Sequence, residues 1–189
     1  MNKKITAILV ASISFFLLTG FFSEEKEPRE ARKGLLDMRK ATLNKLYKES
    51  PHARKEVQNS VGYVVFSNIG INLFLISTAN GAGVAHNNKT GEDTFMSMFS
   101  GGVGVGMGVK DFYAIFIFSN SEAFNYFVNE GWQAGAQADA AAKSGESGDS
   151  LNDAFDIAPG VKLYQLTEHG LAAQITIQGT KYWKDENLN

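Results

Sequence analysis

The sequence predicts an α+β domain in which N-terminal helices pack on a curled, barrel-like, mostly antiparallel β-sheet. Three observations carry this. Clear helical periodicity in the mature body falls at residues 29–60 and in one later segment after Asn120. The rest is a series of short β-branched and aromatic runs separated by Gly- and Asn-containing turns. Several of those runs alternate glycine or alanine with larger residues. This leaves one bare strand face, which admits close packing and sharp sheet curvature.

Residues 1–23 read as a secretory signal. Lys3 and Lys4 precede an apolar run over 5–18, and Gly20 offers a small residue for cleavage. The expectation is an exported protein of the periplasm or cell envelope. Phe21 stands where a bacterial lipoprotein would carry cysteine. The chain has no cysteine at all, which excludes a cysteine-linked lipid, disulfides and thiolate metal sites. Residues 24–28 are a short polar linker, and 29–189 form a single domain.

The first helix is expected over about 29–49. At 100° per residue, Leu35, Leu36, Leu43, Leu46 and Tyr47 gather on one face, with Ala31 and Met38 at its edge. Arg32 and Arg39 fall in the middle of that apolar face. Either their stems snorkel over apolar surface, or the helix lies at a lipid interface with its arginines on headgroups. Pro51 suits the first position of a second short helix ending near Ser60.

Strands are expected over 61–67 and 71–78, broken at Asn68-Ile69-Gly70, and again over 81–86 before a turn at 87–91. Residues 94–99 lead into Gly101-Gly102-Val103-Gly104-Val105-Gly106-Met107-Gly108. The run over 112–119 is the most apolar strand. Ser121 is expected to cap a helix that Gly131 ends. Residues 132–142 fit a helix or a small-faced strand equally, and 143–152 a loop. Residues 161–167 and 171–177 are expected to form a hairpin turning at Glu168-His169-Gly170, with Gly179 and Trp183 closing the chain.

Charge is unevenly spread. Residues 29–55 hold nine Lys or Arg against three acids, while the whole chain is −2, so the remainder is acidic. This asymmetry points to an anionic partner at one end and argues against nucleic acid bound across the surface. No catalytic constellation emerges. His52, His86 and His169 lack metal-ligand spacing, and no Gly-x-Ser-x-Gly elbow occurs. Glu92-Asp93 and the Asp153/Asp156 pair fall in turns, where solvation explains them. Asp139 sits among alanines as a candidate structural carboxylate. No cofactor and no metal are expected.

The glycine run lacks the Gly-Lys-Ser/Thr ending of a phosphate-binding loop, and a strand follows it where such a loop needs a helix. Gly102, Gly104, Gly106 and Gly108 are therefore structural glycines on one strand face. With Gly81-Ala82-Gly83-Val84, the run over 112–118, the helix from Ser121, Gly135-Ala136-x-Ala138-Asp139, Tyr164, Gly170-Leu171-x-Ala173 and Ile177-x-Gly179, they form an ordered series. That series resembles the SYLF domain from about residue 30 onward. The tryptophan many members carry before the glycine strand is absent, Thr94-Phe95 standing there instead.

The resemblance implies non-enzymatic lipid binding at the cell envelope. In the family a basic amphipathic N-terminal helix contributes, and the expectation here is that the first helix docks on anionic phospholipid headgroups and inserts its apolar side. By position, Arg29, Arg32, Lys33, Arg39 and Lys40 are the implied headgroup contacts. Actin binding, known for some eukaryotic members, is not expected of an exported bacterial-looking chain. An envelope scaffold or protein-interaction module is the alternative.

Overall fold

The computed structural model describes residues 28–73, 76–103, 112–133, 154–167, 170–171 and 179–189. Helices α1 (Pro28–Glu49) and α2 (Ala53–Asn59) come first. Strands β1 (Gly62–Leu73), β2 (Ile76–Asn87), β3 (Asp93–Val103) and β4 (Tyr113–Phe118) follow. Helix α3 (Ser121–Asn129) leads into β5 (Trp132–Gln133). The chain continues through β6 (Phe155–Ala158), β7 (Val161–Thr167), β8 (Gly170–Leu171) and β9 (Thr180–Lys184). The nine strands form one sheet in the order β5-β9-β3-β2-β1-β4-β7-β6, with β8 beside β7. All these pairings are antiparallel, and the sheet curls into a half-barrel. The α+β expectation holds.

The two-residue period of the central strands sorts their side chains into two cores. Ile115 and Ile117 of β4 join Tyr63 and Val65 of β1 and Tyr164 and Leu166 of β7 on one face. Leu43 and Leu46 of α1 and Ala53 and Val57 of α2 close over them. Ala114, Phe116 and Phe118 point the other way with Val64 and Phe66, and there Phe124, Phe127 and Val128 of α3 pack with Tyr182 of β9. Each large side chain so removed from water contributes about 1.5–3 kcal/mol. Helices therefore cover both faces of the sheet. The unbroken apolar run of β4 follows from that, because neither of its faces meets solvent.

Local chemistry sets most boundaries. Asn87 Oδ1 accepts from the N–H groups of Lys89 and Thr90, and Gly91 takes φ +76°, forming the β2–β3 turn. The sequence expectation needs correction at three places. Ser121 is the first residue of α3 and not its cap. The cap is Asn120, extended at φ −128° and ψ 150°, whose side chain accepts from Ala123 N at 2.7 Å. Asn caps as well as Ser, so composition alone does not separate the two. Pro51 lies in the turn before α2, not at its first position. The break at Asn68-Ile69-Gly70 is absent. β1 runs through it, paired Asn68 to Gly81 and Gly70 to Ala79, so the β2 ladder overrides local turn propensity.

Trp132-Gln133 resolves as strand, paired with Tyr182 and Lys181. Gly102 lies in β3 opposite Ser77. Gly104, Gly106, Gly108, Asp139, Asp153, Glu168, His169 and the signal segment lie outside the described residues, as do 134–152 and 172–177.

Close backbone packing is visible at Gly83. A Cβ there would lie 2.5 Å from the Val65 carbonyl oxygen and 2.5 Å from Phe66 Cδ1. The bare position lets the Phe66 ring lie across β2. From there it reaches Tyr182 at a centroid distance of 4.9 Å and Phe116 at 6.1 Å, edge-on. At the far edge, Asn189 extends β3 pairing beyond β9. Its carboxamide accepts from Phe95 N at 2.9 Å and donates to Phe95 O at 2.8 Å.

Gly83→Val is expected to destabilise the fold by about 2–3 kcal/mol through overpacking. Gly34 lies exposed in α1, and a Cβ there would meet nothing within 4 Å. Gly34→Ala is expected to stabilise by about 0.5–1 kcal/mol. Denaturant melts read both. An unchanged midpoint for Gly83→Val would sink the close-packing argument.

Candidate functional site

Helix α1 divides its basic residues between two faces. Arg32 and Arg39 turn inward and are spent on the fold. Arg32 Nε donates to the Leu188 carbonyl at 2.8 Å, and its guanidinium stands 5.9 Å from the Phe95 ring. Arg39 Nη1 donates to Asp93 Oδ1, and His86 Nδ1 lies 2.6 Å from that same oxygen. The Arg39 and Asp93 side chains are only 18% and 26% exposed. The cluster thus holds α1 to the β2–β3 end of the sheet more firmly than an exposed pair would. Burial pushes the Tyr63 phenol beside it up, against the pull of Arg39. Lys45 Nζ donates to Thr167 O at 2.6 Å and ties the other end of α1 to β7.

Arg29, Lys33 and Lys40 turn outward and are exposed. They fall within an arc of about 40° on the helix, with exposed Asp37 beside them. Among the described residues none of the three has an ion-pair partner. Exposed Lys48, Arg54 and Lys55 continue the band at the α1–α2 corner. There Arg54 stacks over Tyr47 at 4.3 Å. Of the five residues singled out from the sequence, three are thus brought together on a free surface and two are not. The C-terminal part of the apolar face of α1 is also committed, since Leu46 is fully buried and Leu43 nearly so, while Leu35 and Leu36 are half-buried. Leu43 and Leu46 are not available for insertion into lipid.

A second polar cluster joins α2 to β7. The buried Tyr164 hydroxyl donates to Glu56 Oε2 at 2.8 Å, and Lys162 Nζ donates to Glu56 Oε1 at 2.7 Å. His52 Nε2 stands 3.3 Å from the Tyr164 hydroxyl. Burial alone would raise the Glu56 carboxyl. The hydrogen bonds from Lys162 and Tyr164, with the Lys162 charge, outweigh it and hold the group below its ordinary value.

Sequence reasoning missed both carboxylates of these clusters. Asp93 reads locally as a turn acid beside Glu92, although an arginine in an apolar face is a signal that an acid must meet it. Glu56 has no comparable signal, because its partners come from 106 and 108 residues away. Among the described residues no group of His, Cys, Asp and Glu could hold a metal ion. None of the described helices is long and apolar enough to cross a membrane.

The chain is similar to the beta cell expansion factor A of Aeromonas veronii. The two are 35% identical over 163 residues, which cover 86% of this chain and 60% of the expansion factor. The chain thus spans about 60% of that relative's length. No family model matches the chain.

Two outcomes test the inward assignments. Arg39→Ala is expected to cost about 1–2 kcal/mol of stability, and Lys40→Ala less than about 0.5. Equal effects in urea melts would mean that the two arginines and lysines do not divide as described. Glu56→Gln is expected to cost about 1 kcal/mol at neutral pH, a charged hydrogen bond discounted for partial exposure. The Glu56 carboxyl is depressed in the folded state. Its contribution is therefore present above the ordinary glutamate pKa and fades as pH falls through the lower folded value. The gap between wild type and Glu56→Gln should close on acidification, and a gap that widens contradicts the depressed pKa.

Proposed function

We propose that this chain is a non-enzymatic lipid-binding protein of the cell envelope with a SYLF-like fold, docking on anionic phospholipid headgroups through the outer face of α1. The observation that carries the reading is the exposed stripe of Arg29, Lys33 and Lys40, without an ion-pair partner among the described residues, on a chain whose remainder is acidic. An acidic body turns such a stripe toward a negative surface and the rest of the molecule away from it. Each basic residue near an anionic leaflet contributes about 1 kcal/mol. Three to six of them give weak, reversible, salt-sensitive docking. Because Leu43 and Leu46 of α1 pack on the sheet, charge carries the docking and their insertion does not. The ordered glycine and aromatic series supports the SYLF reading. The name of the Aeromonas relative describes an effect on cells and no reaction, which agrees with a non-enzyme.

A second reading is an interaction module for an envelope protein. Phe99 of β3 and Trp183 of β9 favour it, being exposed at 42% and 37%. They are diagonal neighbours, since Ser97 pairs with Trp183 and Phe99 with Lys181.

Flotation with vesicles of phosphatidylcholine alone, or with added phosphatidylglycerol, separates the two. Binding is expected only with the anionic lipid, falling at high salt and lost in the Lys33→Glu/Lys40→Glu double variant. Binding indifferent to headgroup, salt and charge reversal would overturn the electrostatic reading.

A further inference from the structure

On the sheet face opposite α1, a cavity of about 540 Å³ opens between α3, the β6–β7 turn and β5. That volume lies within the ordinary range for small-molecule sites, about 300–1,000 Å³. Phe118, Phe127 and Trp132 form its aromatic wall, and Ile157 and Val161 its aliphatic one. These rings belong to one packed set: Phe127 and Trp132 have centroids 6.0 Å apart, and Phe118 and Phe127 are 5.2 Å apart. The far side is held in place by polar contacts already satisfied. Asn120 caps α3 and its Nδ2 donates to Pro159 O at 3.4 Å, while Ser119 N donates to Gly160 O at 2.9 Å. Gly160 takes φ +75°, a left-handed turn that glycine suits. The walls are therefore preformed.

Among the described residues, Glu122 and Tyr126 stand exposed at the rim, and Glu122 is the one charged residue in the lining. The Asn120 cap occupies the Ala123 N–H, and Phe124 N donates to Asn120 O at 3.3 Å. The positive end of α3 is thus partly spent, and Glu122 offsets it further. An anionic head at this mouth would meet a carboxylate. A cationic or uncharged one would not be repelled.

We propose that this cavity binds the hydrocarbon chain of a single-chain amphiphile whose head group is cationic or uncharged. The site is separate from the basic stripe of α1 and does not depend on docking there. Apolar walls take the chain out of water, and the Glu122 rim selects the head.

The test uses monomeric amphiphiles and no vesicles, so its failure is distinct from failure of membrane docking. The chain has two tryptophans, so Trp183→Phe leaves Trp132 as the reporter in the cavity wall. Dodecyltrimethylammonium, dodecyl maltoside and dodecyl sulfate are titrated below their micelle concentrations while Trp132 emission is followed. The first two are expected to give a saturable shift, and dodecyl sulfate to bind about threefold more weakly or worse. Glu122→Gln, an exposed change that leaves the core untouched, is expected to remove that difference. Ala123→Phe and Ala158→Phe each fill the cavity from a different element and are expected to weaken binding about tenfold or more, with melts reporting that they fold. Absence of a saturable shift with all three probes overturns the site. So does unchanged affinity in whichever filled variant folds. Dodecyl sulfate binding as tightly as the cationic probe overturns the head-group assignment.

Discussion

Burial of the sheet on both faces is the constraint from which the rest of the architecture follows. Strand β4 sits between β1 and β7 with Ile115 and Ile117 under α1 and α2, and Phe116 and Phe118 under α3. A strand so enclosed cannot alternate apolar with polar, and all its backbone groups must find partners in its neighbours. The aromatic density on the α3 side then demands space. The chain supplies it by leaving Gly83 and Gly81 bare opposite Phe66 and Met98. Helix positions, strand order and glycine placement are thus coupled.

The same constraint divides the labour of α1. The part of the helix that covers the sheet, around Leu43 and Leu46, has its apolar side occupied. Its buried stripe therefore includes two arginines whose heads reach structural acceptors at the sheet rim, Asp93 and the Leu188 carbonyl. What remains for a partner is the exposed basic stripe that borders it. Composition counted five basic residues as equivalent. Burial makes two of them fasteners and leaves three as surface charge.

Much of the fold is legible in the sequence because strong periodic signals and turn chemistry coincide. The α1 face, the Asn87–Gly91 turn and the apolar run over 113–118 all read correctly. Misreadings occur where a partner distant in sequence decides the outcome. The Asn68-Ile69-Gly70 trio looks like a turn until β2 is laid beside it. Asp93 looks solvated until Arg39 arrives from α1. Glu56 is anonymous until Tyr164 and Lys162 of β7 close on it. The cavity beside α3 is illegible for the same reason, since its walls come from β4, α3, β5, β6 and β7. No window of sequence contains them together.

The Asn189 side chain pairs with both backbone polar groups of Phe95, as a peptide unit of a neighbouring strand would. That imitation depends on an amide, which offers one acceptor and a donor. Hydrolysis to a carboxylate keeps the acceptor, loses the donor and turns a negative charge toward the Phe95 carbonyl. An aspartate at this position would therefore loosen the sheet rim. The loss would fall beside the Arg32 anchor of α1, whose acceptor is the neighbouring Leu188 carbonyl, so one side-chain amide bears on both a strand pairing and a helix attachment.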